Sequence, residues 1–137
     1  MRNNISTLCT LTGVVLLTLT IGVCIGLASN LKKGENLYTA NCAKCHGEEG
    51  EGFLQLYPPI HNSRFLKEDM AELPCIIRHG LKGKLSIGST IFNQIMPANK
   101  RLSAEQMSLI ITFMQEKWQH FGPELTVKKW LTTCPSS

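Results

Sequence analysis

Charged residues are scarce in this 137-residue sequence, and neither sign dominates. Asp, Glu, Lys and Arg make up 18% of the chain, whereas hydrophobic residues make up 43%. This balance excludes an intrinsically disordered chain and a highly charged coiled coil. The 14 Lys and Arg exceed the 10 Asp and Glu by a net charge of +4, which is too small to indicate nucleic-acid binding. The length allows one domain.

Internal repeats, low-complexity tracts and strand-like alternation are also missing, so we expect no strand. The clearest helix is expected over residues 103–119, where Ser103 and Gln106 match a capping box. A shorter helix is expected over residues 67–80, where Pro74 divides it into two pieces. Residues 81–99 are punctuated by glycine and are predicted to be irregular. The apolar stripe of the clearest helix is assigned to the core; it consists of Met107, Leu109, Ile110, Ile111, Phe113, Met114 and Trp118.

Residues 5–28 contain no charged side chain and form an export or anchoring segment. A cleaved signal peptide would use Gly26 and Ala28 as the small residues before the cut, whereas an uncleaved membrane anchor needs about 20 apolar residues. The length favours the anchor, and the lysines that follow the segment argue against it, because positive charge prefers the cytoplasmic side. Val23 makes Cys24 a poor lipidation site. Each interpretation places the remaining chain in the periplasm or another oxidising, non-cytoplasmic space.

We expect three segments along the chain. Residues 1–30 are the signal peptide or anchor, residues 31–119 form the compact domain, and residues 120–137 are a C-terminal extension. Ser29 or Asn30 is expected to cap a new helix that runs to about Asn41.

The chemistry of the chain is concentrated in Cys42-Ala43-Lys44-Cys45-His46. A thioredoxin-like redox pair would need a βαβ context, which the pattern does not provide. A zinc site would need two further ligands, and Cys75, Cys134, His61 and His79 are the candidates. C-x-x-C-H is the attachment sequence of c-type haem. Two thiols on one helical turn each add to a vinyl group, and the adjacent imidazole binds the iron.

A second axial ligand is expected downstream, and Met96, which precedes Pro97, is the favoured candidate. A thioether in this irregular segment has no explanation in helix packing, and it raises the reduction potential relative to a second histidine. Competing ligands are the remaining histidines and methionines, namely His61, His79, His120, Met70, Met107 and Met114.

The motifs, in their order and spacing, resemble class I cytochromes c. The resemblance covers residues 33–118 and depends on Gly34, Leu37-Tyr38, Cys42-x-x-Cys45-His46-Gly47, Pro58-Pro59, Ile77-x-x-Gly80 and Met96-Pro97. It implies a small all-α fold wrapped around one covalent haem c, with the first and last helices crossing near Gly34. It also implies that a carbonyl of Pro58 or Pro59 accepts the Nδ1 hydrogen of His46.

The resemblance implies an electron carrier rather than an enzyme, with Cys42, Cys45, His46 and Met96 as haem-binding residues and His46 and Met96 as iron ligands. The expected partners are redox proteins of a respiratory chain, which bind weakly and transiently. The alternatives are a haem subunit of a larger oxidoreductase and a sensor or peroxidase with an exchangeable sixth ligand. Two charged groups could steer a partner: the glutamates Glu48, Glu49 and Glu51, and the basic residues Arg78, Lys82 and Lys84.

Once haem is assigned to the C-x-x-C pair, Cys75 and Cys134 remain in the exported part of the chain. We expect these two residues to form a disulfide that ties the C-terminal extension to the middle helix.

Overall fold

The structure is a computed structural model that describes residues 3–61, 63, 66, 70–118, 127–132 and 134, with side chains from position 14 onward. Its elements are α1 (Asn3–Asn41), α2 (Ala43–His46), a 3-10 turn (Met70–Glu72), α3 (Leu73–His79), β1 (Leu85–Ile87), β2 (Thr90–Phe92), α4 (Ala104–Lys117) and α5 (Val127–Leu131). His120, the expected helix end at residue 119 and the expected helix start at residues 67–69 lie outside the described residues.

Helix α1 is continuous, so the prediction of a new helix capped by Ser29 or Asn30 is wrong. Neither residue is a helix terminus, because helical hydrogen bonding runs unbroken from Asn3 to Asn41 and no proline interrupts it. The apolar side chains of residues 14–27 project outward, with exposed fractions from 49% at Ile21 to 65% at Ile25. By length and composition this helix is able to cross a membrane, as a signal segment or an anchor would.

The second half of α1 crosses α4 at Gly34. A Cβ atom at position 34 would collide with the carbonyl oxygen of Leu109 and would lie 2.8 Å from the Cβ of Phe113. One turn later, Tyr38 is 1% exposed and its ring packs at 5.6 Å from Phe113 and 5.8 Å from Trp118. The crossing expected at Gly34 is therefore present, and it forms the main helix contact of the domain.

Helix α4 begins where the capping box predicts. The hydroxyl of Ser103 accepts a hydrogen bond from the backbone N–H of Gln106 at 3.2 Å, and the side chain of Gln106 accepts one from the N–H of Ser103 at 2.9 Å. Most of the predicted apolar stripe is buried, with Met107, Ile110 and Ile111 fully inaccessible. Leu109 and Trp118 are half-buried. Ile110 also lines the cavity described below, so one face of α4 serves both the core and the cavity wall.

The middle helical region consists of two pieces, as expected from Pro74. A 3-10 turn ends at Glu72, and α3 follows directly. Pro74 occupies the first turn of α3, where its missing N–H would have no intrahelical partner. The proline therefore helps to start α3 rather than interrupting a longer helix.

A two-stranded antiparallel hairpin corrects the prediction of an all-α fold with no strand. Leu85 pairs with Phe92, and Ile87 pairs with Thr90. The loop between the strands is Gly88-Ser89, with Gly88 at φ +58°, a two-residue turn that suits hairpin twist. The domain is helix-rich, with this small hairpin as its strand component in the described residues.

Helix α5 packs against α3, α4 and the 3-10 turn. Val127, at its start, is 3% exposed. The expected disulfide between Cys75 on α3 and Cys134 is present, with the Cα atoms 5.4 Å apart across 59 positions of sequence. The covalent link holds the C-terminal segment against the middle of the domain.

Replacing both bridged cysteines, as Cys75→Ser with Cys134→Ser, is expected to lower the free energy of unfolding by about 4 kcal/mol, because the open chain gains loop-closure entropy. Urea unfolding of the full chain measures the change. Cys24→Ser is the matched control, since Cys24 is exposed and unbridged. An unfolding midpoint equal to that of the control would show that the bridge contributes nothing.

Candidate functional site

The junction of α1 and α2 places the C-x-x-C-H motif on a single turn. The N–H of Cys42 donates to the carbonyl of Tyr38 at 2.8 Å, which carries the helical path of α1 into the motif. The N–H groups of Cys45 and His46 then donate to the carbonyl of Cys42 at 3.1 and 3.0 Å. Because these bonds form one tight turn, the two thiols and the imidazole are held close together.

The imidazole of His46 is oriented by a proline carbonyl. Its Nδ1 lies 3.0 Å from the carbonyl oxygen of Pro58, so Pro58 rather than Pro59 is the acceptor. With Nδ1–H donating to this carbonyl, Nε2 carries the lone pair. Burial lowers the pKa of His46, and the Pro58 hydrogen bond opposes that shift. The imidazole is therefore neutral at physiological pH, which is the form that binds metals.

Backbone hydrogen bonds within the chain hold the loop that carries Pro58. The N–H of Gly52 donates to the carbonyl of His46 at 2.8 Å, and Phe53 and Tyr57 exchange hydrogen bonds at 2.9 and 3.2 Å. A Cβ at Gly52 would lie 2.7 Å from the carbonyl carbon of Pro58, and the residue has φ +73°. Gly52 is therefore the residue that lets the chain return this close to its own backbone.

A deep, mostly apolar cavity opens beside this turn. All the residues predicted to bind a cofactor line it: Cys42, Cys45, His46 and Met96. The rest of the wall is supplied mainly by Tyr57, Pro58, Pro59, Ile60, Leu66, Leu73, Ile76, Ile77, Leu81, Leu85, Ile87, Phe92, Ile95, Pro97, Ile110 and Met114. Residues far apart in the sequence thus converge on one cavity.

Met96 is the predicted sixth ligand, and the structure separates it from most of its competitors. Met70 and Met107 are buried and do not line the cavity. Met70 instead accepts a hydrogen bond from the side chain of Gln115. Met114 does line the cavity from α4, a placement that the assignment of its stripe to the core did not anticipate.

The competing histidines do not line the cavity within the described part of the chain. His79 is exposed at the end of α3, and the Nδ1 of His61 lies 2.9 Å from the carbonyl oxygen of Gly50. His120 lies outside the described residues. The cavity therefore brings together one histidine with Met96 and Met114.

The other interpretations of the C-x-x-C pair receive no support from its surroundings. Burial, and then the neighbouring Cys45, raises the pKa of Cys42 to about 11, whereas a reactive redox thiol needs a lowered pKa. Cys75 and Cys134 are bonded to each other, so neither is available as a zinc ligand.

The cavity fits a c-type haem. Its wall is mostly apolar, as a porphyrin requires, and it is lined by two cysteines on one helical turn next to a histidine. A thioether reaches the same cavity from a segment 50 positions after His46. Soft sulfur and neutral imidazole form a donor set that suits haem iron.

Within each of the two groups of charged residues, the side chains differ in their exposure and in their contacts. Arg78 is half-buried, and its guanidinium group donates to backbone carbonyls. Lys82 and Lys84 are exposed. Among the acidic residues, Glu49 forms an ion pair with Lys117 at 2.9 Å.

Two residues near the site have roles that were not predicted from the sequence. Arg78 and Asn99 hold the segment that follows Met96, through hydrogen bonds to its backbone and to neighbouring elements. A basic residue in the last turn of a helix was the available signal for Arg78, since such residues often bind carbonyl groups. No local pattern indicates which carbonyls it binds.

Comparison with known proteins gives a consistent result. Residues 29–114 match the family model described as cytochrome C oxidase, cbb3-type, subunit III. A cytochrome c-552 of Thermus thermophilus is 29% identical over 97 residues, which cover 68% of this chain and 65% of that protein. The cytochrome c subunit of quinone alcohol dehydrogenase from Gluconacetobacter polyoxogenes is 30% identical over 93 residues, or 66% of this chain and 19% of that subunit. The chain thus spans about two thirds of the first relative and about a fifth of the second.

Proposed function

Because the chain belongs to the family of c-type cytochrome domains, which transfer electrons through covalently bound haem c, we propose that it carries single electrons between proteins of a respiratory chain. One observation supports the proposal most directly: the predicted attachment and ligand residues all line the same apolar cavity. They are Cys42 and Cys45 as attachment sites and His46 and Met96 as axial ligands.

Haem c supplies an iron that alternates between the ferrous and ferric states without gaining or losing an atom. The protein side of this chemistry lies in a few positioned groups. Pro58 holds the imidazole of His46 in one tautomer, and the apolar wall excludes water. Met96 would hold the iron through its thioether and leave no open position for a substrate, which favours a carrier over a sensor or peroxidase and argues against an enzymatic role.

We assign residues 1–30 to a signal peptide or membrane anchor, residues 31–119 to the electron-transfer domain, and residues 120–137 to an extension. The exposed apolar face of α1 supports insertion into a bilayer, and the disulfide supports a non-cytoplasmic location. The haem domain then lies in the periplasm or at the outer face of the inner membrane.

Redox partners are proposed to dock beside the cavity. Ile95 lines the cavity and is 57% exposed. The exposed Lys82 and Lys84 flank Gly83, another lining residue. An apolar contact with adjacent positive charge suits weak, electrostatically steered encounters with an acidic surface.

A second candidate function is that of a haem subunit held in a larger oxidoreductase. The relatives favour it, since one is named as a subunit of a quinone alcohol dehydrogenase and the matching family is named after an oxidase subunit. Purification from membranes in mild detergent separates the two candidates. A carrier elutes alone, whereas a subunit elutes with its partners.

The proposed function predicts a coloured protein whose pigment survives acid–acetone extraction, because thioether bonds attach it. The oxidised protein should show a methionine–iron charge-transfer band in the near infrared, and the reduced protein should not bind carbon monoxide readily. Extractable pigment would contradict covalent attachment. Ready carbon monoxide binding without the band would favour the sensor.

A further inference from the structure

The segment that follows Met96 is tied to α3 by the guanidinium group of Arg78. Its Nη1 donates to the carbonyl of Lys100 at 2.8 Å and to that of Asn99 at 3.4 Å, and its Nη2 donates to the carbonyl of Leu102 at 2.7 Å. We propose that Arg78 is a positioning residue that keeps the thioether of Met96 at the cavity. The proposal rests on the proposed function, since it presupposes that Met96 is the sixth ligand.

The carbonyl groups need such a donor because their backbone is irregular. Residues 97–102 belong to no helix or strand, and the helical hydrogen bonds of α4 begin only at Ser103. A guanidinium presents several N–H donors in a rigid plane, so it can bind several carbonyls at once. A lysine ammonium is a point charge on a flexible stem and cannot reproduce this geometry.

The backbone of Met96 is also fixed on its other side, by the residues that follow α3. Met96 and Leu81 exchange two backbone hydrogen bonds of 3.0 Å. Gly80, at φ +76°, approaches so closely that a Cβ would collide with the carbonyl oxygen of Met96 and would lie 2.8 Å from the N of Ala98. This contact holds Met96 itself, and Arg78 holds the chain immediately downstream.

Asn99 completes the downstream attachment. Its N–H donates to the carbonyl of Ile77 at 2.9 Å, and its side-chain oxygen accepts from the N–H of Leu102 at 3.2 Å. Its side-chain amide also donates to Asn41, at the end of α1, at 3.1 Å. The guanidinium therefore acts on a segment that is connected to both α1 and α3.

This arrangement matters because a neutral thioether binds iron only if the protein holds it there. If the downstream attachment is loosened, Met96 leaves the iron more often, and an added ligand takes its place more rapidly. The positioning role thus predicts faster ligand exchange in a protein that is still folded, whereas a purely structural role predicts lower stability without faster exchange.

The test uses the full haem-loaded chain and imidazole as the added ligand. Arg78→Gln removes the guanidinium, and Arg78→Lys keeps the charge without the planar donor set. We expect imidazole to bind the ferric protein about 10-fold faster in Arg78→Gln, the size expected for losing hydrogen bonds from a charged donor. Arg78→Lys should fall between this variant and the unmodified chain.

Arg101→Gln is the matched control, because Arg101 lies in the same segment, is exposed, and has no side-chain hydrogen bond among those described. Its imidazole rate should equal that of the unmodified chain. Urea unfolding of each variant is measured in parallel. An Arg78→Gln protein with a lower unfolding midpoint and an unchanged imidazole rate would overturn the positioning role, as would rates equal to those of the control.

A wrong assignment of Met96 as the ligand can be distinguished from a wrong role for Arg78. Met96→Ala by itself should open the sixth position and remove the charge-transfer band. If the Met96→Ala protein keeps the band, Met96 is not the ligand and the proposal falls with that assignment. If Met96→Ala loses the band while both Arg78 variants exchange ligands at the unmodified rate, Met96 is the ligand and Arg78 does not position it.

Discussion

The Met96→Ala protein is expected to contain high-spin ferric iron and to have lost essentially all of its near-infrared charge-transfer band. Alanine has no donor atom, so the iron keeps His46 and its sixth position becomes accessible to water or added ligands. The reduced variant should bind carbon monoxide rapidly, in contrast to the unmodified chain. Optical spectra before and after addition of carbon monoxide measure both effects.

Met114→Leu is the control for this substitution, because Met114 also lines the cavity and leucine keeps a similar volume without sulfur. We expect its spectrum to remain low-spin with the band intact. Loss of the band in Met114→Leu and its retention in Met96→Ala would show that Met114 is the ligand. A low-spin Met96→Ala spectrum, together with an unmodified chain that also lacks the band, would indicate a histidine instead.

The Met96→His protein provides a further check on the site. An imidazole at this position should restore a low-spin spectrum without the methionine–iron band and should lower the reduction potential, because histidine stabilises ferric iron more than methionine does. Potentiometric titration measures the shift. An unchanged potential would mean that the side chain at position 96 does not reach the iron.

The Gly34→Val protein is expected to lose about 3 kcal/mol of unfolding free energy or more. The added side chain would meet the carbonyl oxygen of Leu109 and the Cβ of Phe113. These atoms belong to a helix backbone and its first side-chain atom, so they cannot move aside cheaply. Overpacking of this kind typically costs about 1–3 kcal/mol and occasionally more. Valine is a better helix former than glycine by at most about 0.5 kcal/mol, which offsets little of this cost. Urea unfolding followed by circular dichroism measures the loss.

Gly26→Val is the matched control on the same helix. A Cβ at Gly26 meets nothing within 4 Å, so the substitution acts only on helix propensity. We expect a change of less than about 1 kcal/mol. Equal losses in the two variants would show that the α1–α4 crossing does not depend on the absence of a side chain at Gly34.

The continuity of α1 also affects where the domain would lie relative to the membrane. In this structure the apolar segment and the helix that packs at Gly34 belong to one helix, with no cap at Ser29 or Asn30. If the segment is retained as an anchor, the haem domain follows the bilayer without a flexible linker. At a helical rise of about 1.5 Å per residue, Cys42 then lies roughly 15 Å along the axis from Lys32. Partners within reach would be those at the membrane surface.

The sequence by itself determined the features that depend on residues close together along the chain. The C-x-x-C-H motif implies haem c, and the family comparisons support that cofactor. The capping box at Ser103 sets the start of α4, because its hydrogen bonds join residues three positions apart. The alternating side chains on either side of Gly88-Ser89 also indicate a hairpin. The hairpin was not predicted, because the glycines of this segment also suit irregular chain.

Only the tertiary structure decided which distant groups meet. It selected Pro58 as the acceptor for His46, placed Met114 in the wall of the cavity and turned Arg78 towards the carbonyls after Met96. These outcomes depend on packing between elements separated by many residues, and local sequence patterns describe only the nearest few residues along the chain.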